Sequence, residues 1–305
     1  MHDYLGEWAV DLDTFIVAVY CTIDEELREL AKRERWRTRG PRPRLADSEV
    51  LTMEAVGEYL GIDTDRGLYA YFRRHYGAWF PALRRVHRTT FARQAANLWA
   101  VKERVWQHLV RRVPHEPDFA LVDSFPLPVC QFARAHRCRR FRGEAAYGKD
   151  TLVRQTFYGF RVHVRLCWPG LICRAVLAPA NVSELAAVPA LAEGTTGLLL
   201  GDRNYHAPRL MEELADHGVR LVAPYRWASR DPDPTRAPLL SRFRYRIDTA
   251  FGQLVDRYRA KRVWARDAWH LRSRLLRKLL SHTLAVRFSI EADRPPLRLA
   301  DLLAA

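Results

Sequence analysis

Hydrophobic positions recur at helical spacing over the first third of the chain and mostly at strand spacing over the middle third. From Thr14 to Trp36 the run TFIVAVYCTIDEELRELAKRERW starts apolar, turns amphipathic and ends basic, which predicts a helix. A basic, proline-containing linker, RTRGPRPRLA, follows over residues 37–46. DSEVLTMEAVGEYLG then carries an Asp or Ser N-cap, Glu49 in its first turn, an apolar face and Gly61 as a stop. DRGLYAYFRRHYGAWF and TTFARQAANLWAVKERVWQHLVRRV add further helices. Residues 1–113 therefore read as a helical domain, a bundle or a helix-turn-helix module.

After Pro114 the period changes. In PDFALVDSFPLPVC, residues 117–130, Phe119 to Val122 form a short apolar strand ending in Asp123, and Pro126 and Pro128 are expected to stop further sheet pairing. TFYGFRVHVRLCW alternates apolar and polar as a half-buried strand does, and after Pro169–Gly170 LICRAVLAPA returns as its hairpin partner. Next come a short helix (SELAAVPALAEG), a buried strand ending at Asp202 (GLLLGD), a helix closed by Gly218 and the strand VRLVAPY. A long helix holds YRIDTAFGQLVDRY, and DAWHLRSRLLRKLLSHTLAVRF is the last. That order predicts a mixed α/β domain with a central sheet over residues 114–305.

Composition narrows the partners. With 48% hydrophobic residues the chain is globular, and 50 Lys and Arg against 35 Asp and Glu give a net charge of +15. Such an excess suits a polyanion, nucleic acid before membrane, although an arginine-rich proteome gives the same balance. No apolar run reaches membrane-spanning length. The opening MHDYLGEWAV is acidic where a signal peptide is basic, and five cysteines fit a reducing compartment, so a cytoplasmic protein is expected. The spacing of Cys130, His136 and Cys138 is not a usual zinc pattern, so Cys130, Cys138, Cys167 and Cys173 read as buried free thiols, with zinc as the lesser alternative.

Two buried strands thus end in Asp123 and Asp202, and Asp248 lies on the rim of a helix whose Ile247, Phe251 and Leu254 face the core. Carboxylates gathered at strand ends suit hard cations such as Mg²⁺ or Mn²⁺. Nine Lys or Arg against two acids lie between Gln131 and Arg165, and ten against one between Arg257 and Arg287. Acids in a basic surface fit a two-metal phosphodiester site, or are counter-ions of the basic residues. Arg161 and His163 share one face of a strand and Arg244 stands one turn before Asp248. Arg272, Arg274, Arg277 and Lys278 offer a basic helix face, so all seven are candidate DNA contacts, with a solvated surface as the alternative. No Gly-rich phosphate loop appears.

Motifs spread along most of the chain carry a resemblance: DSEVLTMEAVGEYLGIDTDRGLYAYFRRHY, RTTFARQAANLW, LVDSFPLPVC, FRGEAAYG, FYGFRVH, LAPANVSE, LLLGDRNY, IDTAFGQLVDRY and VWARDAWHLRSRLLRKLLSHT. Together they resemble DDE transposases of bacterial insertion sequences, most closely the insertion-sequence-982 family within the IS4-like superfamily. The resemblance implies a ribonuclease H-like catalytic core, with Asp123 and Asp202 as the first two catalytic acids. Asp248 stands where the family normally has Glu, one methylene longer. It further implies two Mg²⁺ ions, replaceable by Mn²⁺, held by Asp123, Asp202 and Asp248. The implied partners are double-stranded DNA at terminal inverted repeats and target sites, with a homodimer on DNA and the helical region binding the ends. A hydrolysis-only nuclease and a catalytically inactive DNA-binding relic are the alternatives.

Overall fold

The computed structural model describes residues 10–37, 40–150, 153–225, 227–262 and 264–303. Most of the acidic opening stretch and residues 38–39 of the basic linker lie outside the described residues. The chain forms two compact units: Met1–Pro114 with Asp256–Ala260 and Trp264–Ala305, and His115–Val255 with Lys261–Val263.

The first unit is helical. It contains α1 (Leu12–Arg33), α2 (Asp47–Tyr59), α3 (Asp65–His75), α4 (Arg88–Asn97), α5 (Trp99–Arg112) and the last helix of the chain, α9 (Ala268–Glu291). The last helix, expected beside the sheet, packs against α2, α4 and α5 instead. Neither Asp47 nor Ser48 caps α2. The N-cap is Ala46, whose N–H donates to Glu49 at 2.6 Å, and Asp47 accepts from Trp36, Arg37 and Gln94.

α2 is buried almost all round, including Glu54 and Glu58, so bases must come to it. Lys102 of α5 lies 2.6 Å from Glu54, and Lys278 of α9 lies 2.6 Å from Glu58. Arg277 pairs with Glu58 and, at 2.6 Å, with Asp65, which Arg274 also holds at 2.8 Å. The basic α9 face therefore divides. Arg277 and Lys278 are 1% and 4% exposed, so these two are internal counter-ions with no surface to offer phosphate, while Arg274, paired with Asp65, is part-buried and lines a pocket with Arg66, Arg88 and Arg93. Arg272 alone of the four is exposed, stacked on Trp99.

The second unit is a six-stranded mixed sheet: β1 (Glu116–Pro128), β2 (Ala146–Asp150), β3 (Gln155–Trp168), β4 (Leu171–Pro179), β5 (Gly197–Leu200) and β6 (Val219–Val222). β4, β3 and β1 form an antiparallel meander, and β5 and β6 continue it parallel to β1. β2 extends the sheet along the far end of β3. This five-strand order, three antiparallel then two parallel, is that of a ribonuclease H-like core. Helix α6 (Glu184–Ala192) covers one face and α8 (Arg236–Gly252) the other; α7 (Pro208–Ala215) joins β5 to β6.

β1 does not end at Asp123. It pairs with β3 through Pro128, opposite Gly159, whereas its pairing with β5 stops at Leu121. The N–H of Val129 donates to Tyr158, so odd-numbered residues of β1 point their N–H at β3 and even-numbered ones point away. Pro126 and Pro128 are even-numbered, and their missing N–H groups fall on the edge that β5 has left.

Removing one member of the buried ionic cluster strands its partners. Arg277→Met is expected to cost about 3–5 kcal/mol, while Arg272→Met at the exposed site costs under about 1 kcal/mol. At ~2–4 °C per kcal/mol for a chain of this size, thermal melts of the two variants separate them.

Candidate active site

Strand alternation puts Phe119, Leu121, Asp123 and Phe125 on one face of β1, and the parallel register sets Leu198 and Leu200 of β5 beside Phe119 and Leu121. Asp202, two residues past the end of β5, follows in the same register beside Asp123. Its carboxylate accepts from the Asn204 N–H at 2.8 Å and caps a short 3₁₀ turn. Tyr205 folds back over Gly201, where a Cβ would stand 2.6 Å from the Cβ of Tyr205. That close approach explains the glycine and the buried tyrosine, giving Asn204 and Tyr205 structural roles.

α8 crosses the same face. Phe243 packs on Phe119 with ring centroids 4.7 Å apart and Phe251 on Phe125 at 5.1 Å. Arg244 and Asp248 thereby fall at the level of Asp123. The Arg244 guanidinium lies 3.7 Å from Asp123 Oδ2 and 3.7 Å from Asp248 Oδ2, longer than a charge-assisted hydrogen bond. Asp248 is more than half exposed, whereas the Asp123 side chain is 17% exposed. A cleft of about 390 Å³ opens beside them, lined by Asp202, Arg203, Tyr225, Asp231 and Arg244 among others.

The electrostatics centre on Asp123. Burial pushes its carboxyl up to about 7, with the charges of Asp202 and Glu184 adding to the shift. The Ser124 N–H, which donates to Asp123 Oδ1 at 2.7 Å, and Arg244 oppose it without cancelling it. A buried carboxylate so poorly neutralised is the donor set a divalent cation fits. The three carboxylates do not meet in one shell: among the described residues their oxygens are not within 4.8 Å of one another. A pair of ions, about 3.5–4 Å apart in two-metal sites, needs no such single shell.

Arg161 and His163 share a face, but the register pairs Ser124 with His163 and Pro126 with Arg161, which is the face opposite Asp123. His163 is fully buried, and burial followed by the nearby Arg161 charge lowers its pKa to about 4, so it is neutral. Arg161 donates to Ser124 Oγ at 3.1 Å and to the Lys149 carbonyl at 2.6 Å, and it pairs with Glu184 at 3.4 Å. Both are spent behind the strand. Glu184, the last residue of the LAPANVSE motif but not singled out as a site residue, accepts from Ser124 Oγ at 2.6 Å and is the acid behind Asp123. Its sequence signals are that motif and Ser183, the N-cap of α6.

Residues 115–262, just under half of the chain, match the family described as Transposase DDE domain. This segment, which spans the sheet-bearing unit and all three aspartates, is therefore similar to the DDE domain of transposases. No curated protein matches the chain. Among solved structures, one similar chain is in a cryo-EM structure of piggyBac transposase synaptic complex with hairpin DNA. It is 10% identical, with a TM-score of 0.48 covering 92% of this chain and 75% of that one. No helix among the described residues is long and apolar enough to cross a membrane.

A carboxyl whose folded pKa is raised contributes stability that is present at low pH and lost as pH rises towards about 7. Without divalent ions, Asp123→Asn is therefore expected to melt above the native chain at pH 8, by roughly 3 °C or more. The two should melt together at about pH 4. Melting curves in chelator at both pH values check this.

Proposed function

We propose that the chain is a transposase of an insertion sequence, similar to the insertion-sequence-982 family. In this reading it cuts the element's ends and joins the exposed 3′-hydroxyls to target DNA. One observation carries the reading: three aspartates from β1, the loop after β5 and α8 lie on one sheet face inside the segment that matches the Transposase DDE domain family. Asp123, Asp202 and Asp248 would hold two Mg²⁺, with Mn²⁺ as a substitute. When bound, the ions supply Lewis acidity to the attacking and leaving oxygens of the phosphodiester.

The chain's own residues set the rest. Asp123 is fixed by a strand paired along its β3 edge, and Asp202 by its turn, so both carboxylates are preorganised. Arg244 stands between Asp123 and Asp248, where its guanidinium offsets the repulsion between the acids and offers positive charge to a scissile phosphate. In the first step water forms the new phosphorus–oxygen bond and the bond to the 3′-oxygen breaks, leaving a 3′-hydroxyl. In the second that hydroxyl attacks a target phosphodiester and displaces its 3′-oxygen. Work at two ends calls for a dimer on DNA, with the helical unit binding the terminal repeats. Of the basic candidates, Arg244, the exposed Arg272 and the pocket-lining Arg274 stay available to phosphate.

Asp248, exposed and one methylene shorter than Glu, favours a second reading, a DNA-binding relic. Labelled DNA bearing the element's terminal repeats, incubated with Mg²⁺ or Mn²⁺, separates the two. Cleavage and joining by the native chain are expected, falling on the order of 100-fold or more in Asp123→Ala and in Asp202→Ala. Cleavage that appears only in Asp248→Glu would support the relic. Cleavage that survives Asp123→Ala would overturn the site.

A further inference from the structure

The His115, Cys167 and Cys173 side chains come together at the end of the sheet remote from Asp123. One ring nitrogen and the two sulfurs all lie within 4.8 Å of one another. Three chain segments supply them: the residue leading into β1, the last turn of β3 and the start of β4. Cys167 and Cys173 are buried, 1% and 8% exposed, and neither is in a disulfide; His115 is half-buried.

The local backbone is bent to make this meeting. β3 and β4 pair as Arg165 with Arg174 and Leu166 with Ile172, so Cys173 is the extra residue of a β-bulge. A bulge re-aims the side chain it carries, and here Cys173 turns toward Cys167. Buried thiols alone are ordinary core fillers. A histidine from a third segment within ligand reach of both is not explained by packing.

We propose that His115, Cys167 and Cys173 form a binding site for a soft divalent metal of the Zn²⁺ class. It is separate from the carboxylate site and structural in effect. Zn–S and Zn–N bonds of about 2.3 and 2.0 Å put tetrahedral ligand atoms roughly 3.5 Å apart, so a closure of about 1 Å by side-chain rotation completes the set. Water or a further donor takes the fourth position. Sulfur and imidazole exclude Mg²⁺ as the preferred ion, just as the aspartates disfavour Zn²⁺ selectivity. Asp123 lies eight residues along β1 from His115, roughly 25 Å in extended chain, so the metal would take no part in reaction at the carboxylates. Its effect is local. The β1–β3 ladder shifts register between Glu116 and Ala120, and a metal joining His115 to the β3–β4 hairpin would pin that irregular start of the strand.

Co²⁺ added to the reduced full-length chain tests this, because thiolate ligation gives charge-transfer absorption that carboxylate ligation does not. About one equivalent is expected to bind with thiolate and tetrahedral bands, which Zn²⁺ then displaces. Replacing Cys21, Cys130 and Cys138 together by Ser should leave the bands intact, whereas Cys173→Ser and His115→Gln should each remove at least half of the absorption. In the native chain, Zn²⁺ should slow alkylation of Cys167 and Cys173 severalfold relative to chelator. Absence of thiolate bands in the native chain, their loss in the triple Ser variant, a Cys167–Cys173 disulfide, or equal alkylation with and without Zn²⁺ would each overturn the proposal.

Discussion

β1 loses its parallel neighbour after Leu121 but keeps its antiparallel one as far as Pro128, and the candidate site follows from that mismatch. A strand paired on both edges would have no opening beside Asp123. One paired on neither would not hold the carboxylate still. With one edge open, the prolines cost no ladder hydrogen bond, the Ser124 N–H turns back to Asp123, and the loop carrying Asp202 fills in alongside. The aromatic contacts of α8 on either side of Asp123 then fix where Arg244 and Asp248 arrive.

The two units treat buried charge in opposite ways. In the helical unit, Glu54, Glu58 and Asp65 are matched by Lys102, Arg274, Arg277 and Lys278 at hydrogen-bond distance, so the chain neutralises its own acids. In the sheet-bearing unit, Asp123 has one backbone hydrogen bond and a single guanidinium at 3.7 Å, with two further acids nearby. A protein that can assemble complete ion pairs elsewhere leaves this one incomplete. That contrast is the physical case for an external cation at Asp123.

Much of this was legible in the sequence, and what was not has identifiable causes. Alternation in TFYGFRVHVRLCW marked β3, and the apolar runs before Asp123 and Asp202 marked β1 and β5. Parity also put Arg161 and His163 on a common face, but which face required the β1–β3 register. Pro126 and Pro128 read as strand breakers because a sequence does not say which edge of a strand is paired. Arg277 and Lys278 read as surface because their partners lie some 220 residues earlier, on α2. His115 escaped notice beside Cys167 and Cys173 for the same reason, and a bulge at Cys173 is invisible to periodicity.

The central claim, that Asp123 is a cation ligand rather than a tolerated buried acid, is tested most directly by Mn²⁺ binding. Electron paramagnetic resonance of the full chain at pH 8 would follow free Mn²⁺ during titration, in the native protein and in Asp123→Asn. Saturable uptake by the native chain that falls at least tenfold in affinity in the variant is the expected result. Equal uptake by both proteins, or none by the native chain, would contradict it.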